Sequence, residues 1–254
     1  MFYHSLDFKT RFINLINECN ILVSHLYNIN CSFLFTKNKC YNHIYYYINL
    51  FIQELISTNI INTNEMIIIN SNDNFEYRQH KTWCWFINAL DGETYFNSRI
   101  EEFTINIGLT FNGNPVFGII SIPTVNTIYY GIHNIGSFKL LHHEITPLII
   151  DTNKSFIQTN VKLIISSDLH NDTFKLIEMF NHPKIVKVGS TLKFIWIIED
   201  KADIYVCLTK TSELTTCAAT AIINAAGGKV LNYDTSGPIQ YNKENLYNEF
   251  FITF

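Results

Sequence analysis

Apolar residues in the first part of the chain recur with helical spacing. Between residues 8 and 29, apolar side chains such as Phe12, Leu15 and Cys19 stand three or four positions apart, which predicts an amphipathic helix. Residues 43–60, rich in Tyr, Ile and Leu, predict a second helix. From residue 66 the pattern changes to short apolar runs divided by turn residues, which indicates strands. These strands are predicted at Met66–Asn70, Trp83–Asn88, Phe103–Phe111, Val116–Ile122 and Thr127–Ile132.

The C-terminal part instead alternates strands with helices. Strands are predicted at Leu163–Ser166, Ile185–Val188 and Ile204–Leu208, and helices near 171–181, 190–200 and 213–226. This alternation favours a more parallel sheet, and the pair Gly227-Gly228 is expected to end the last helix. We therefore predict one compact unit of two halves: an α+β half over residues 1–140, which holds an antiparallel sheet, and an α/β half over residues 141–254.

Composition narrows the class of protein. Apolar residues make up 47% of the chain and charged residues 16%, which is typical of a globular protein. A net charge of −4 gives no basic surface for a nucleic acid polymer. No run approaches the roughly 18 apolar residues of a transmembrane segment, and the N-terminus lacks the apolar core of an export signal. We expect a cytoplasmic protein, with peripheral association with the inner membrane face left open.

Two residue biases carry further information. The six Cys residues form no Cys-x-x-Cys pair and fit no zinc framework, so we expect free thiols in a reducing compartment. The chain holds 20 Phe and 14 Tyr against 10 Gly, and it is also rich in Asn, Ile and Lys. These frequent residue types are the ones that A+T-rich codons favour, which indicates a reduced genome. Replacement of Asp by Asn is then an expected form of drift.

One segment points to chemistry. The apolar run that begins at Trp85 leads into the acidic turn Asp91-Gly92-Glu93, and a second predicted strand follows from Phe103. A carboxylate fixed at a strand end in this way is within reach of a hard cation or a phosphate. The alternative is that Asp91 only caps the turn.

The stretch Asn88–Glu93 resembles the Asp-Pro-Leu-Asp-Gly-Thr metal motif of the inositol monophosphatase superfamily, with the flanking pattern of its CysQ-type branch. Three more blocks match that branch in order, at Gly113–Gly118, Gly189–Phe194 and Ala221–Gly228, and Tyr241–Lys243 matches its final strand. The chain is thus identified as a divergent member. The resemblance implies an α/β (α+β) fold, the layered α/β/α/β/α sandwich of the inositol monophosphatase and fructose-1,6-bisphosphatase type.

The resemblance also implies an activity. Its CysQ-type members are 3'(2'),5'-bisphosphate nucleotidases, Mg²⁺-dependent phosphatases that convert adenosine 3',5'-bisphosphate, a by-product of sulfate assimilation, into AMP and phosphate. The expected partner is therefore a small nucleotide. The expected metal positions are Asn72, Asn88, Asp91 with the carbonyl of Leu90, and Thr215, where Asp91 and Thr215 are also the catalytic positions.

Of these positions, only Asp91 keeps the carboxylate that the family motif has. Because cation affinity depends on the number of charged ligands, the resemblance predicts weak Mg²⁺ binding and impaired activity. A rebuilt site is the alternative, since Asp73, Glu93 and Glu213 each lie close to a lost ligand. The family's Thr-x-x-Asp pair, which positions the attacking water, falls on Tyr46 and Asn49.

Substrate contacts are expected at two turns. The first is the motif turn itself, Leu90-Asp91-Gly92-Glu93, and the second is Gly189-Ser190-Thr191 with Lys193 beyond it. Backbone N–H groups at the start of a helix bind anions, although an ordinary helix start has the same sequence signature. Two functions stay open: a nucleotidase of impaired activity, or a non-catalytic nucleotide-binding or decaying homologue that keeps the fold.

Overall fold

Two long helices open the chain of this computed structural model, which describes residues 5–28, 37–60, 65–69, 73–151, 161–165, 177–178, 180 and 182–254. Helix α1 spans Leu6–Tyr27 and helix α2 spans Lys37–Asn59. The Ser5 hydroxyl accepts a hydrogen bond from the Phe8 amide at 3.1 Å and so caps α1. The apolar face that predicted α1 is buried, as is the face of α2 that carries Ile48 and Ile52.

A seven-stranded sheet follows these helices. It runs in chain order through β1 (Met66–Ile68), β2 (Trp83–Asp91), β3 (Thr104–Phe111), β4 (Asn114–Ile122), β5 (Thr127–Ile132), β6 (Gly136–Leu141) and β7 (Glu144–Leu148). Strand β1 pairs with β2 in parallel, and all later pairs are antiparallel. The five predicted strands are confirmed. The β6–β7 hairpin, with His142 and His143 at its exposed turn, was not predicted. The division of the chain into halves stays a prediction.

A second sheet lies in the C-terminal part, in the order β12-β14-β10-β8-β9. Its strands are β8 (Lys162–Ile165), β9 (Lys184–Val186), β10 (Ile204–Cys207), β12 (Val230–Asn232) and β14 (Phe251–Thr253). The three strands that sequence predicted are parallel, whereas β12 and β14 join antiparallel. Two short strands, β11 (Thr211–Ser212) and β13 (Tyr247–Asn248), form a separate pair.

The prediction of a final strand at Tyr241–Lys243 is wrong. These residues form a loop, and the terminal strands lie later in the chain, at β13 and β14. The amides of Asn242 and Lys243 donate to the Glu213 carboxylate, at 2.6 and 3.3 Å, instead of to a neighbouring strand. A side chain has thus taken the hydrogen bonds that a strand pairing requires.

Shorter helices complete the layers. They are α3 (Phe75–Arg78), α4 (Glu93–Asn97), α5 (Leu192–Ile198) and α6 (Glu213–Ala225). One apolar core lies between α1, α2 and the first sheet, and a second lies between the other face of that sheet, α5, α6 and the second sheet. This is the predicted layered sandwich. The helix predicted near 171–181 falls mainly outside the described residues, and no described helix is long and apolar enough to cross a membrane.

Candidate metal and substrate site

Three of the predicted metal positions meet between the two sheets. Asp91 ends β2, Asn88 lies on the same strand, and Thr215 lies in the first turn of α6. Asn88 Nδ2 donates to Asp91 Oδ1 at 3.0 Å and to Thr215 Oγ1 at 3.3 Å, and Thr215 Oγ1 donates to Asp91 Oδ1 at 3.4 Å. All three side chains are only half-buried. The fourth position, Asn72, lies outside the described residues.

The second oxygen of Asp91 is held from α5. Thr191, which precedes that helix, donates both its amide and its hydroxyl to Asp91 Oδ2, each at 2.9 Å. Asn106 on β3 in turn donates its Nδ2 to the Thr191 hydroxyl at 2.9 Å. Asp91 therefore accepts four hydrogen bonds and connects β2 to the starts of α5 and α6. Sequence reasoning gave no role to Asn106, which lies in the predicted strand Phe103–Phe111, and it expected the Thr191 amide to meet the substrate and not Asp91.

Tyr45 reaches the motif turn from α2. Its hydroxyl donates to the Leu90 carbonyl at 2.6 Å. Burial raises the pKa of Tyr45, and the nearby Glu93 carboxylate raises it further, so the hydroxyl stays protonated and able to donate. Of the predicted pair, Tyr46 is 56% exposed and does not make this contact, whereas Asn49 is half-buried and its side chain hydrogen-bonds Tyr45. The i, i+3 spacing from Tyr45 to the buried Ile48 is the signal that identifies the correct face.

Gly92 sets the geometry of the motif turn. It adopts φ 97°, a left-handed conformation that favours glycine, and directly precedes α4. The chain turns there, and Glu93 becomes the first residue of that short helix. Its side chain is exposed.

At the second predicted substrate turn, backbone amides donate hydrogen bonds to carboxylates of the chain itself. The Gly189 amide donates to Glu102 Oε2 at 2.6 Å, and the Thr191 amide donates to Asp91 as described above. Lys193 Nζ donates to the Ser190 carbonyl at 3.1 Å. Burial lowers the pKa of Lys193, and the charge of Asp91 opposes that shift. The turn thus holds two internal anions at the amides that were expected to meet the substrate.

Comparison with known proteins identifies the family of the chain. The Inositol monophosphatase family profile matches residues 46–249. The chain belongs to the inositol monophosphatase family. The "3'(2'),5'-bisphosphate nucleotidase CysQ" of Buchnera aphidicola is 30% identical over 198 residues, which cover 71% of this chain and 70% of that protein. The protein of the same name from Haemophilus influenzae is 25% identical over 211 residues, covering 80% and 77%.

A solved structure supports the fold. The crystal structure of CysQ from Bacteroides thetaiotaomicron, described as a bacterial member of the inositol monophosphatase family, superposes with a TM-score of 0.82. It shares 23% identity with this chain, and the match covers 96% of this chain and 95% of that one. The layered arrangement of the two sheets and their helices is therefore that of the inositol monophosphatase fold.

The side chains around Asp91 do not supply the oxygen ligands needed by the Mg²⁺ ions that the family resemblance implies. Among the described residues, no three His, Cys, Asp or Glu side chains are grouped so as to hold a metal ion. Both Asp91 oxygens already accept hydrogen bonds, and the Leu90 carbonyl accepts one from Tyr45. The buried Asn106 leaves its Oδ1 without a hydrogen-bond partner, but this oxygen is neutral. Mg²⁺ prefers charged oxygen ligands, of which this cluster offers one.

Two carboxylates near the lost ligands are engaged elsewhere. Glu213 is fully buried, forms a salt bridge with Lys243 and accepts two backbone amides. Burial raises the pKa of Glu213, and Lys243 together with those amides opposes the rise. Asp73 Oδ2 accepts the Ile69 amide at 3.1 Å. These contacts tie Glu213 and Asp73 to local structure, so neither supplies a free ligand in this arrangement.

Proposed function

We propose that the chain is a 3'(2'),5'-bisphosphate nucleotidase of the CysQ type whose hydrolysis of adenosine 3',5'-bisphosphate is impaired. The nucleotidase identity is supported by the family membership and by the similarity to the CysQ protein of Buchnera aphidicola. A small nucleotide as substrate, Mg²⁺ as cofactor and a cytoplasmic location belong to the same proposal. The impairment is supported by one observation: the Asp91 carboxylate is surrounded by neutral hydrogen-bond donors.

The physical argument concerns charge. Mg²⁺ gives up its hydration shell reluctantly, and its affinity follows the number of anionic ligands. A cation approaching Asp91 has to displace the hydrogen-bond donors of Asn88, Thr191 and Thr215. The neutral oxygens of these side chains bind Mg²⁺ only weakly. In metal-dependent phosphatases the ions activate the attacking water and stabilise the leaving oxygen. With weakly bound ions both contributions are small, and slow turnover follows.

A second candidate is a non-catalytic homologue, and the hydrogen bonds at the second predicted substrate turn favour it. The amides of Gly189 and Thr191 donate to Glu102 and Asp91, so a nucleotide phosphate would compete there with two internal carboxylates. Glu93 adds a further negative charge at the motif turn. A homologue that keeps the fold without turnover would show this arrangement.

Phosphate release from adenosine 3',5'-bisphosphate tests the proposal. The unmodified chain is compared with the triple variant Asn72→Glu, Asn88→Asp and Thr215→Asp, each with Mg²⁺ and with EDTA. We expect very slow release from the unmodified chain and a Mg²⁺-dependent gain of about 100-fold or more in the triple variant, because metal ligands act as a unit. Each single variant is expected to gain little for the same reason.

The outcomes separate the candidates. Rapid, EDTA-sensitive release by the unmodified chain would contradict the impairment. A folded triple variant without any gain would contradict the proposed nucleotidase and favour the non-catalytic homologue.

A further inference from the structure

The side chains next to Asp91 are hydrogen-bond donors, whereas a metal site would have carboxylate oxygens at these positions. A carboxylate at position 88 or 215 would be an acceptor facing another acceptor, and like charges at this distance repel unless a cation lies between them. Asn88 and Thr215 instead present an amide N–H and a hydroxyl O–H to Asp91 Oδ1. Each change therefore replaces a repulsion with a hydrogen bond.

The network extends beyond the lost metal positions. Thr191 Oγ1 accepts from Asn106 Nδ2 and donates to Asp91 Oδ2, so a continuous series of bonds runs from β3 through the start of α5 to β2. Thr191 and Asn106 are both fully buried. Asn88 and Asn106 are direct partners across the β2–β3 pair, which places their side chains on one face of the sheet.

We infer that this network, the Asp91 junction (Asn88, Asp91, Asn106, Thr191 and Thr215), has replaced metal as the link between β2 and α6, and that it also ties both to β3 and α5. The inference rests on the proposed function for the positions of the metal ligands, but it requires no turnover. A hydrogen bond to a charged acceptor contributes more than a neutral one, and the carboxylate here receives four. The fold around the junction is then stable without Mg²⁺.

Thermal unfolding of the full chain, with millimolar Mg²⁺ and with EDTA, tests the inference. The unmodified chain is expected to melt at the same temperature in both. The double variant Asn88→Asp and Thr215→Asp is expected to melt about 4–8 °C lower in EDTA and to recover most of that loss with Mg²⁺, since each kcal/mol shifts the melting temperature of a chain this size by a few degrees. If the double variant does not fold in EDTA, recovery of its helical circular dichroism on addition of Mg²⁺ gives the same answer.

A matched control carries the same change in charge far from the junction. Asn134→Asp with Thr146→Asp places two carboxylates at exposed positions of the β5–β6 turn and of β7. This control is expected to show no dependence of its melting temperature on Mg²⁺.

Two results would overturn the inference. The first is stabilisation of the unmodified chain by Mg²⁺ of several degrees, and the second is a double variant that is as stable in EDTA as the unmodified chain. Failure of the proposed function is distinguishable, because the melting experiment contains no nucleotide. If the triple variant Asn72→Glu, Asn88→Asp and Thr215→Asp gains Mg²⁺-dependent stability without phosphate release, the result would contradict the nucleotidase and support the Asp91 junction.

Discussion

Gly189 lies against the ring of Tyr95 with no room for a side chain. A Cβ atom built at Gly189 falls 2.2 Å from Tyr95 Cζ and 2.5 Å from Cε2, well inside van der Waals contact. The same glycine donates its amide to Glu102. Close packing therefore requires glycine here, independently of any substrate contact.

We predict that Gly189→Ala destabilises the protein by about 1–3 kcal/mol, the usual cost of overpacking. Chemical denaturation measures this loss. Because the clash is with one ring, Gly189→Ala should cost less in a Tyr95→Ala background, and a double-mutant cycle isolates that coupling. Equal costs in the two backgrounds would show that the Tyr95 ring does not set the requirement for glycine.

Single residues of the site were predictable where a motif fixed them to an element end. Asp91 ends a strand and Thr215 lies in the first turn of a helix, and the family resemblance was enough to assign both to one site. Tyr45 and Glu102 were not predictable in the same way. The contact of Tyr45 depends on which face of α2 packs on the sheet, and the contact of Glu102 depends on where the chain returns some 87 residues later.

At the scale of elements, Glu199 connects α5 to strands β5 and β6 of the first sheet. It follows the last residue of α5 and accepts hydrogen bonds from Tyr129 on β5, at 2.6 Å, and from Lys139 on β6, while Lys201 forms an ion pair with it. Burial alone would raise the pKa of Glu199. The bonds from these three partners outweigh that effect and lower the pKa to about 2.

This lowered pKa predicts a dependence of stability on pH. The folded pKa lies below the ordinary value of 4.5, so the contribution of Glu199 is complete above about pH 5 and is lost as the pH falls toward 2. We expect Glu199→Gln to reduce the free energy of unfolding by about 2 kcal/mol at pH 7, allowing for solvent screening of the exposed Lys201. The difference should shrink as the pH falls below about 5 and largely vanish by about pH 2.

Denaturant titrations between these pH values check the prediction, with Glu101→Gln as a control that removes an exposed carboxyl group. A cost of Glu199→Gln that stays constant across the range would contradict the assigned pairing.

Elements were predictable in proportion to their apolar content. Strand β3 alternates Ile and Leu with Thr, Asn and Gly over eight residues, and both its type and its position are confirmed. Strand β7 is mostly exposed, so it carries no apolar pattern from which a strand could be read. The antiparallel strand β14 was missed because the family resemblance placed the final strand at Tyr241–Lys243, and β12 was not predicted.

At the scale of the whole molecule, the cores are intact while the site is altered. The layers on both faces of the first sheet are filled with buried apolar side chains, and the sheets and helices match a CysQ structure at a TM-score of 0.82. The alternation of elements predicted the strand-rich first part and the α/β second part, and the family resemblance implied the layered sandwich. The hydrogen bonds of the Asp91 junction were not predictable, because they arise only where α5 and α6 meet the ends of β2 and β3.

Calorimetric titration of the unmodified chain with Mg²⁺ tests the central claim, that the family's metal site has become a neutral hydrogen-bonded cluster. A single carboxylate surrounded by neutral donors is expected to bind Mg²⁺ with a dissociation constant of about 1 mM or weaker. The variant with Asn72→Glu, Asn88→Asp and Thr215→Asp serves as the positive reference and should bind more tightly. Micromolar binding by the unmodified chain would contradict the account and would mean that Asp73, Glu93 or Glu213 has rebuilt the site.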